Sequence, residues 1–213
     1  MKSFCNRIWS VKQRYGIMGT FINILQKLFS LIGISINRKY CLNFVIAETF
    51  AGNNDILKSF AEFKELSYND FVFYGEKTWF NADKLSFLKS VLSQSGNSAY
   101  GIINNDTIVC SGLISTEYFN LNNIKLSFSD GYLWDDYTHP QYRGLGFHKR
   151  LINYRIYQLY LRKKTTVLVF VDSYNKASYK GFISCGFQKA QTYYVYKIGK
   201  GKSKTTFQYK YND

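Results

Sequence analysis

The sequence predicts a folded domain of mixed α/β (α+β) class over residues 41–213, preceded by a basic helical extension over residues 1–40. Hydrophobic residues make up 46% of the chain and proline occurs once, a composition typical of a folded globule and not of a disordered chain. Apolar runs with strand character alternate with segments of helical spacing, and no repeat period or Pro- or Ser-rich linker divides them. A chain of 213 residues can therefore bury a substantial core.

The middle of the chain predicts one strand, two helices and then three strands in a meander. Asn54 or Asp55 can cap the first helix, and the Asn104-Asn105-Asp106 turn between two apolar runs is typical of a β-hairpin. The predicted strands cover residues 42–50, 99–103, 107–116 and 124–138, and the predicted helices cover residues 54–66 and 82–94.

The N-terminal extension is basic and apolar. Residues 17–34 are nearly apolar, but Gln26 and Lys27 lie in their middle, and a central lysine costs roughly 2.5 kcal/mol or more in a membrane span. Amphipathic helices account for the spacing better than a transmembrane helix does. Such helices could contact an anionic membrane from the cytoplasmic side, pack on the domain behind them, or form a homodimer contact, and these alternatives stay open.

The net charge of +14 is unevenly distributed. Residues 1–40 hold seven Lys or Arg and no acid, and residues 143–164 again hold seven bases and no acid. An anionic partner is therefore expected at two places, with nucleic acid, a phosphorylated cofactor and a membrane surface as the candidates. The four cysteines form no CxxC pair and only two histidines are present, so we expect reduced thiols in a cytoplasmic protein and no metal site.

A glycine-containing loop follows the last strand of the meander. The strand ends at Thr138, Pro140 makes a turn, and the run Arg143-Gly144-Leu145-Gly146 precedes a basic amphipathic helix. Glycines let the backbone approach a ligand and direct its N–H groups outward, and the helix presents the positive end of its dipole at the same point. This arrangement meets the physical requirement for holding a pyrophosphate.

A second motif follows the apolar strand at residues 165–171. It places Asn175, Ser178, Phe182 and the pair Gly186-Phe187 at fixed offsets. Together with Pro140, Arg143, Gly144 and Gly146, this pattern resembles motifs A and B of the GNAT superfamily of acyl-CoA N-acyltransferases. The chain departs from the pattern at Thr138, where Val is usual, at His148, where Gly or Ala is usual, and at Phe182, where Tyr is usual.

The resemblance implies a GNAT-like, mixed and largely antiparallel central sheet with helices on both faces. It implies acetyl-CoA as the co-substrate and no metal. The backbone of Tyr137 and Thr138 would pair with the pantetheine arm, Asn175 would bond to the arm, and the helix carrying Phe182 would flank it. The residues expected around the pyrophosphate are Arg143, Gly144, Leu145, Gly146, Phe147 and His148.

The implied chemistry is attack of a neutral amine on the acyl thioester, which requires a proton acceptor and a proton donor. Asp136 and Asp135, with Asp130 as a further candidate, carry carboxylates on the strand before the loop. Strand alternation places Asp136 on the face of Trp134 and Thr138 and Asp135 on the other, unless a bulge exchanges them. Either carboxylate could instead bind the substrate amine. Phe182 has no proton to give, so Tyr179, one helical turn earlier, is the alternative donor.

The resulting expectation is an N-acetyltransferase that acts on a primary amine of a small acceptor, such as an amino sugar or a nucleotide-linked amino sugar. The alternative is a non-catalytic acyl-CoA-binding regulatory protein. A nucleic-acid-binding module is suggested by charge alone, since the chain has no recognised binding motif and its bases lie where the phosphate site needs them. No nucleic-acid partner is therefore predicted.

Overall fold

The computed structural model describes residues 21–22, 24–26, 28–29, 34–46, 60–117, 130–198 and 205–211. The strands are β1 (Ile34–Val45), β2 (Lys64–Leu66), β3 (Asn97–Asn104), β4 (Thr107–Ser115), β5 (Asp130–Thr138), β6 (Thr166–Asp172), β7 (Gln188–Ile198) and β8 (Thr205–Tyr211). The helices are α1 (Tyr68–Tyr74), α2 (Ala82–Leu92), α3 (Phe147–Leu161) and α4 (Lys176–Ser184). The chain divides into two compact units, one formed by Asn43–Val169 and the other by Met1–Leu42 with Phe170–Asp213.

The Asn43–Val169 unit contains a mixed and largely antiparallel sheet. Its strand order is β2-β3-β4-β5-β6, and only the pair β5–β6 is parallel. Asn105 and Asp106 join β3 to β4 with φ angles of 46° and 54°, the left-handed conformation that a two-residue hairpin turn requires. The predicted hairpin and the predicted fold class are both confirmed.

Helices cover both faces of this sheet. On one face α1 and α2 bury a cluster that includes Phe71, Leu88 and Leu113. Neighbouring strand residues point to opposite faces, so Gly112 faces the other side, where an added Cβ would lie 2.4 Å from the Arg155 side chain of α3. Gly131 likewise leaves room for a leucine of α3. The two glycines therefore let α3 lie close against the sheet.

The second unit contains β1, β7 and β8 in that order, with β7 and β8 antiparallel. Asn175 caps α4 by accepting a hydrogen bond from the Ser178 amide at 3.2 Å. The amide of Ser173 donates to the Arg38 carbonyl at 2.9 Å, and Lys39 forms an ion pair with Asp172 at 2.8 Å. These contacts fasten the end of β6 and the residue after it to β1.

Several predicted elements differ from the structure. The helix predicted through Leu66 is wrong at its end, because Lys64–Leu66 pairs with β3 as strand β2. Residues 34–40 are part of β1 and not helical, although helical backbone is described at several positions between residues 21 and 29. The remaining part of the predicted extension, the start of the 54–66 helix and residues 124–129 lie outside the described residues.

The second predicted helix is confirmed as α2, which ends at Leu92 instead of residue 94. Helix α1 was not predicted, although its capping box is visible in the sequence as Ser67 followed three residues later by Asp70. Within the part of the chain that the structure describes, no helix is long and apolar enough to cross a membrane.

Candidate active site

Strand β5 carries an edge that β6 leaves uncovered. On one side β5 pairs with β4 as far as Thr138, which lies opposite Cys110. On the other side its pairing with β6 covers only Asp130, Gly131 and Tyr132. The pairing with β6 therefore ends at Tyr132, six residues before the end of β5. An extended ligand could add to this edge as a strand does.

A β-bulge lies in the same part of β5. Trp134 pairs with Leu113 and Tyr137 with Ser111, so two aspartates on β5 oppose the single residue Gly112 on β4. Asp135 adopts the left-handed region at φ 56°, which is uncommon for a residue other than glycine. The bulge places Asp135 on the same face as Trp134 and Tyr137, beside α2, and Asp136 on the opposite face, beside α3. The predicted position of Asp136 on the face of Trp134 is thus wrong, and the bulge that was left open as an alternative is observed.

Asp135 points toward α2. Both of its carboxylate oxygens accept hydrogen bonds from the Lys84 ammonium. The distance from Lys84 Nζ to Oδ2 is 2.5 Å. The same ammonium lies 4.9 Å from the centre of the Phe87 ring, which is itself edge-on to Trp134. Asp135 and Lys84 each retain about a fifth of their side-chain exposure. The geometry is that of a carboxylate with an aromatic wall, holding a primary ammonium group.

Asp136 points toward α3 and contacts two of its residues. Its Oδ1 lies 2.6 Å from Arg155 Nη2, and its Oδ2 accepts a hydrogen bond from His148 Nε2 at 2.8 Å. Because an ionised carboxylate can only accept, Nε2 is the protonated nitrogen of this histidine. Burial by itself would raise the pKa of Asp136, but the charge of Arg155 and the bond from His148 outweigh it and hold the pKa below 3.8.

Arg155 is a completely buried cation within α3. Its Nη1 donates to the carbonyl oxygens of Leu113 at 3.0 Å and Trp134 at 3.3 Å, on the two strands that meet at the bulge. The contact of Nη2 with Asp136 is a charge contact that lacks the alignment of a hydrogen bond. Arg155 therefore anchors the bulge and fixes the Asp136 carboxylate at once.

The loop after β5 has a turn after Thr138 and two glycines before a helix, as the sequence predicts. Residues Pro140–Tyr142 form a 3-10 turn, and Arg143 Nε donates back to the Thr138 carbonyl at 3.2 Å. Gly144 and Gly146 both adopt φ 81°, and a Cβ at either position would meet no atom within 4 Å. Helix α3 begins at Phe147, and no side chain caps it at Gly146. The start of α3 thus has no side-chain cap, and the two loop glycines leave open space where side chains would lie.

The residues next to the two loop glycines, and Tyr137 before them, differ in exposure. Leu145 is 65% exposed, whereas Phe147 is half-buried and its ring lies edge-on to Tyr142 at 5.9 Å. Tyr137 is buried among Trp79 and Phe80, and its hydroxyl has no hydrogen-bond partner among the described residues. Burial raises the pKa of Tyr137 well above its ordinary value, so the ring stays a neutral O–H group.

The second motif lies in the other unit. The Asn175 oxygen caps its own helix, as described above, and Tyr179 lies edge-on to Tyr40 with ring centroids 5.4 Å apart. Phe182 is 1% exposed and packs on Phe187, so its ring is part of the core of α4. The roles predicted for Asn175, Tyr179 and Phe182 stay predictions.

Two residues of the site escaped sequence reasoning. Arg155 lies four residues after Leu151 and three after Ile152, both of which are buried. A cation inside an apolar stripe of a helix is a usable signal, since a buried charge requires a partner. Lys84 gave no such signal, because a lysine in the first turn of an exposed helix is ordinarily solvated. Among the described residues, no group of His, Cys, Asp or Glu side chains could hold a metal ion.

The fold is GNAT-like. A Novosphingobium aromaticivorans DSM 12444 protein assigned to the GNAT family of acetyltransferases aligns over 80% of this chain and 69% of its own, at 12% identity and a TM-score of 0.53. A Drosophila melanogaster protein covers 84% of this chain and 57% of its own, at 17% identity and a TM-score of 0.52.

A conserved protein of unknown function from Staphylococcus epidermidis ATCC 12228 aligns over 80% of this chain and 64% of its own. Its identity to the chain is 14% and its TM-score 0.52. No protein-family model and no curated protein matches the sequence. At these identities the likeness establishes the fold alone.

Proposed function

We propose that the chain is an acyl-CoA-dependent N-acyltransferase that moves an acetyl group from acetyl-CoA to a primary amine of a small acceptor. The observation that carries the proposal is the part of β5 beyond its pairing with β6, which leads directly into the left-handed glycine loop at the uncapped start of α3. An edge strand suits an amide-containing arm, and exposed first-turn amides suit a pyrophosphate. The GNAT-like fold supports the same assignment.

The cofactor roles follow from these two features. The backbone of Tyr137 and Thr138 would pair with the amides of the pantetheine arm. The loop from Arg143 through Gly144, Leu145 and Gly146 to Phe147 and His148 would hold the pyrophosphate, chiefly through N–H groups. CoA, when bound, supplies the activated thioester. Asn175 and Phe182 keep the pantetheine-side roles that motif B implies for them.

The two carboxylates of the bulge take different roles in this proposal. Asp136 is ion-paired with Arg155 and bonded to His148, and its lowered pKa makes it a weak proton acceptor. Asp135 already holds an ammonium group, so it is the better candidate to bind the acceptor amine and to take its proton. CoA would supply the thiol leaving group, and a thiol pKa of about 8.5 makes this group a tolerable one even without a strong acid.

A second candidate function is a non-catalytic acyl-CoA-binding regulatory protein. The observation that favours it is Phe182, which is buried and has no proton to donate where the family pattern has Tyr. Tyr179, one helical turn earlier, is the proton donor that the sequence analysis suggests in its place. Binding of acetyl-CoA without turnover over a broad set of amines would identify this function.

The direct test is thiol release from acetyl-CoA by the full chain with glucosamine as the acceptor. Glucosamine represents the proposed amino-sugar class, and N-acetylglucosamine is the matched control because it differs at the amine. We expect CoA release with the first sugar, with acetylated product confirmed by mass spectrometry, and only background hydrolysis with the second. Equal release with both sugars, or none with glucosamine and other primary amines, would contradict amine acylation.

A further inference from the structure

We propose that Asp136 is a positioning residue that acts through His148, holding this imidazole away from the phosphate-binding amides of the loop. The inference rests on the proposed function, since it concerns the CoA-binding surface of the same site. It assigns His148 a role opposite to that of a phosphate ligand. Side-chain restraint, and not charge, is the contribution of this histidine to CoA binding.

The first step concerns space. The two loop glycines project no side chain, and a Cβ at Gly144 or Gly146 would meet no atom within 4 Å. Helix α3 then begins at Phe147, and His148 is its second residue. The amides that a phosphate would use are those of this first turn. An imidazole turned toward them would occupy the space that the glycines keep clear.

The second step concerns the anchor that turns the imidazole away. His148 Nε2 donates to Asp136 Oδ2 at 2.8 Å, across from α3 to the bulge of β5. Asp136 cannot follow the histidine outward, because Arg155 holds its other oxygen and is itself bonded to the backbone of β4 and β5. Gly112 provides the room for that guanidinium. A fixed acceptor on the sheet thus defines where the imidazole lies.

The third step separates the proposal from the obvious alternative. If the imidazole itself bound a phosphate, removing it would weaken CoA binding. A ring that cannot bond to Asp136 would then weaken CoA binding no more than removal of the ring does. If the imidazole is held aside, removal leaves the amides accessible. In that case CoA binding is weakened by a ring of similar size that cannot form the hydrogen bond, because this ring is free to turn toward the amides.

The experiment is a CoA titration by isothermal calorimetry with three variants, His148→Ala, His148→Phe and His148→Gln. We expect the Ala variant to bind within about 3-fold of the native affinity and the Phe variant about 10-fold more weakly, the size of one hydrogen bond to a charged group. Gln can donate its amide N–H to Asp136 and should restore most of the affinity. His139→Phe, the same change at the only other histidine, is the matched control and should bind normally.

Kinetics with acetyl-CoA adds a readout that a merely structural role would not move. The Phe variant should raise the KM for acetyl-CoA while kcat at saturation stays near native, and its melting temperature should match that of the Ala variant. A loss of about 10-fold or more in His148→Ala would show a phosphate ligand and overturn the proposal, as would unchanged binding in His148→Phe. If the native chain binds CoA and the series fails, only this inference falls; if the native chain does not bind CoA, the proposed function falls with it.

Discussion

Asp135 and Asp136 show what a single left-handed residue does to two neighbouring side chains. The φ of 56° at Asp135 accompanies one extra residue opposite Gly112, and the resulting bulge places Asp135, instead of Asp136, on the face of Trp134. One meets a lysine of α2 and the other a buried arginine of α3. Sequence alternation could name both aspartates as candidates but could not orient them, because no sequence pattern marks this bulge.

The Asp135–Lys84 pair yields a prediction about the acceptor. If Asp135 receives the acceptor ammonium, Lys84 competes for the same carboxylate, so Lys84→Met should lower the KM for glucosamine by about 3- to 10-fold, in line with a partly exposed ion pair. Asp135→Asn should raise this KM by about 10-fold or more. The measurement is steady-state kinetics at saturating acetyl-CoA.

The matched control for this prediction is Lys89→Met on the same helix. Lys89 Nζ lies 5.9 Å from the centre of the Tyr68 ring, whereas Lys84 is bonded to a carboxylate. The control should leave the KM for glucosamine unchanged. An unchanged KM in Lys84→Met, together with lowered stability, would instead identify a purely structural ion pair.

At the scale of elements, the sequence predicted the helices, turns and loops that depend on residues close together in the chain. Apolar periodicity located α2, the Asn-Asp turn located the β3–β4 hairpin, and two glycines located the left-handed loop, because each rests on residues close in sequence. Strand β2 was mistaken for the end of a helix, since its strand character comes from pairing with β3, about 35 residues away. The Arg155 anchor was missed because it depends on the backbone of two distant strands.

The ion pair between Asp136 of β5 and Arg155 of α3 predicts how stability depends on pH. The pKa of Asp136 is lowered in the folded state from 3.8, so the pair contributes stability above pH 3.8 that is lost as the pH falls through the folded value. Arg155→Met alone leaves a buried carboxylate without a partner and should cost about 3–5 kcal/mol. The measurement is urea unfolding from neutral pH into acid.

An Asp136→Leu/Arg155→Met double variant provides the comparison. Replacing both charges with apolar side chains of similar volume is often neutral, so this variant should fold. The difference in unfolding free energy between native and double variant should shift in favour of the double variant as the pH drops below 3.8. A difference that stays constant over that range would show that Asp136 keeps the same pKa in the folded and unfolded states.

At the scale of the whole molecule, the two halves of the sequence motif belong to different compact units. The glycine loop lies in the Asn43–Val169 unit, whereas Asn175, Tyr179 and Phe182 belong to the other. Composition could predict an anionic partner from the net charge of +14, and the proposed function assigns one such partner, the CoA pyrophosphate, to the loop. The basic residues 1–40 are still predicted to contact a membrane, the domain behind them or a second copy of the chain.

The central claim is that this chain binds CoA through the loop at Gly144 and Gly146, and calorimetric titration of CoA into the full chain tests it most directly. The native chain should bind one CoA in a saturable manner, and Gly146→Ala should bind about 10-fold more weakly, because left-handed alanine costs roughly 1–2 kcal/mol and its methyl group enters the ligand space. Gly96→Ala is the control, since Gly96 has a similar φ of 79° away from the loop. Absence of saturable binding by the native chain, or equal weakening in both glycine variants, would contradict the account.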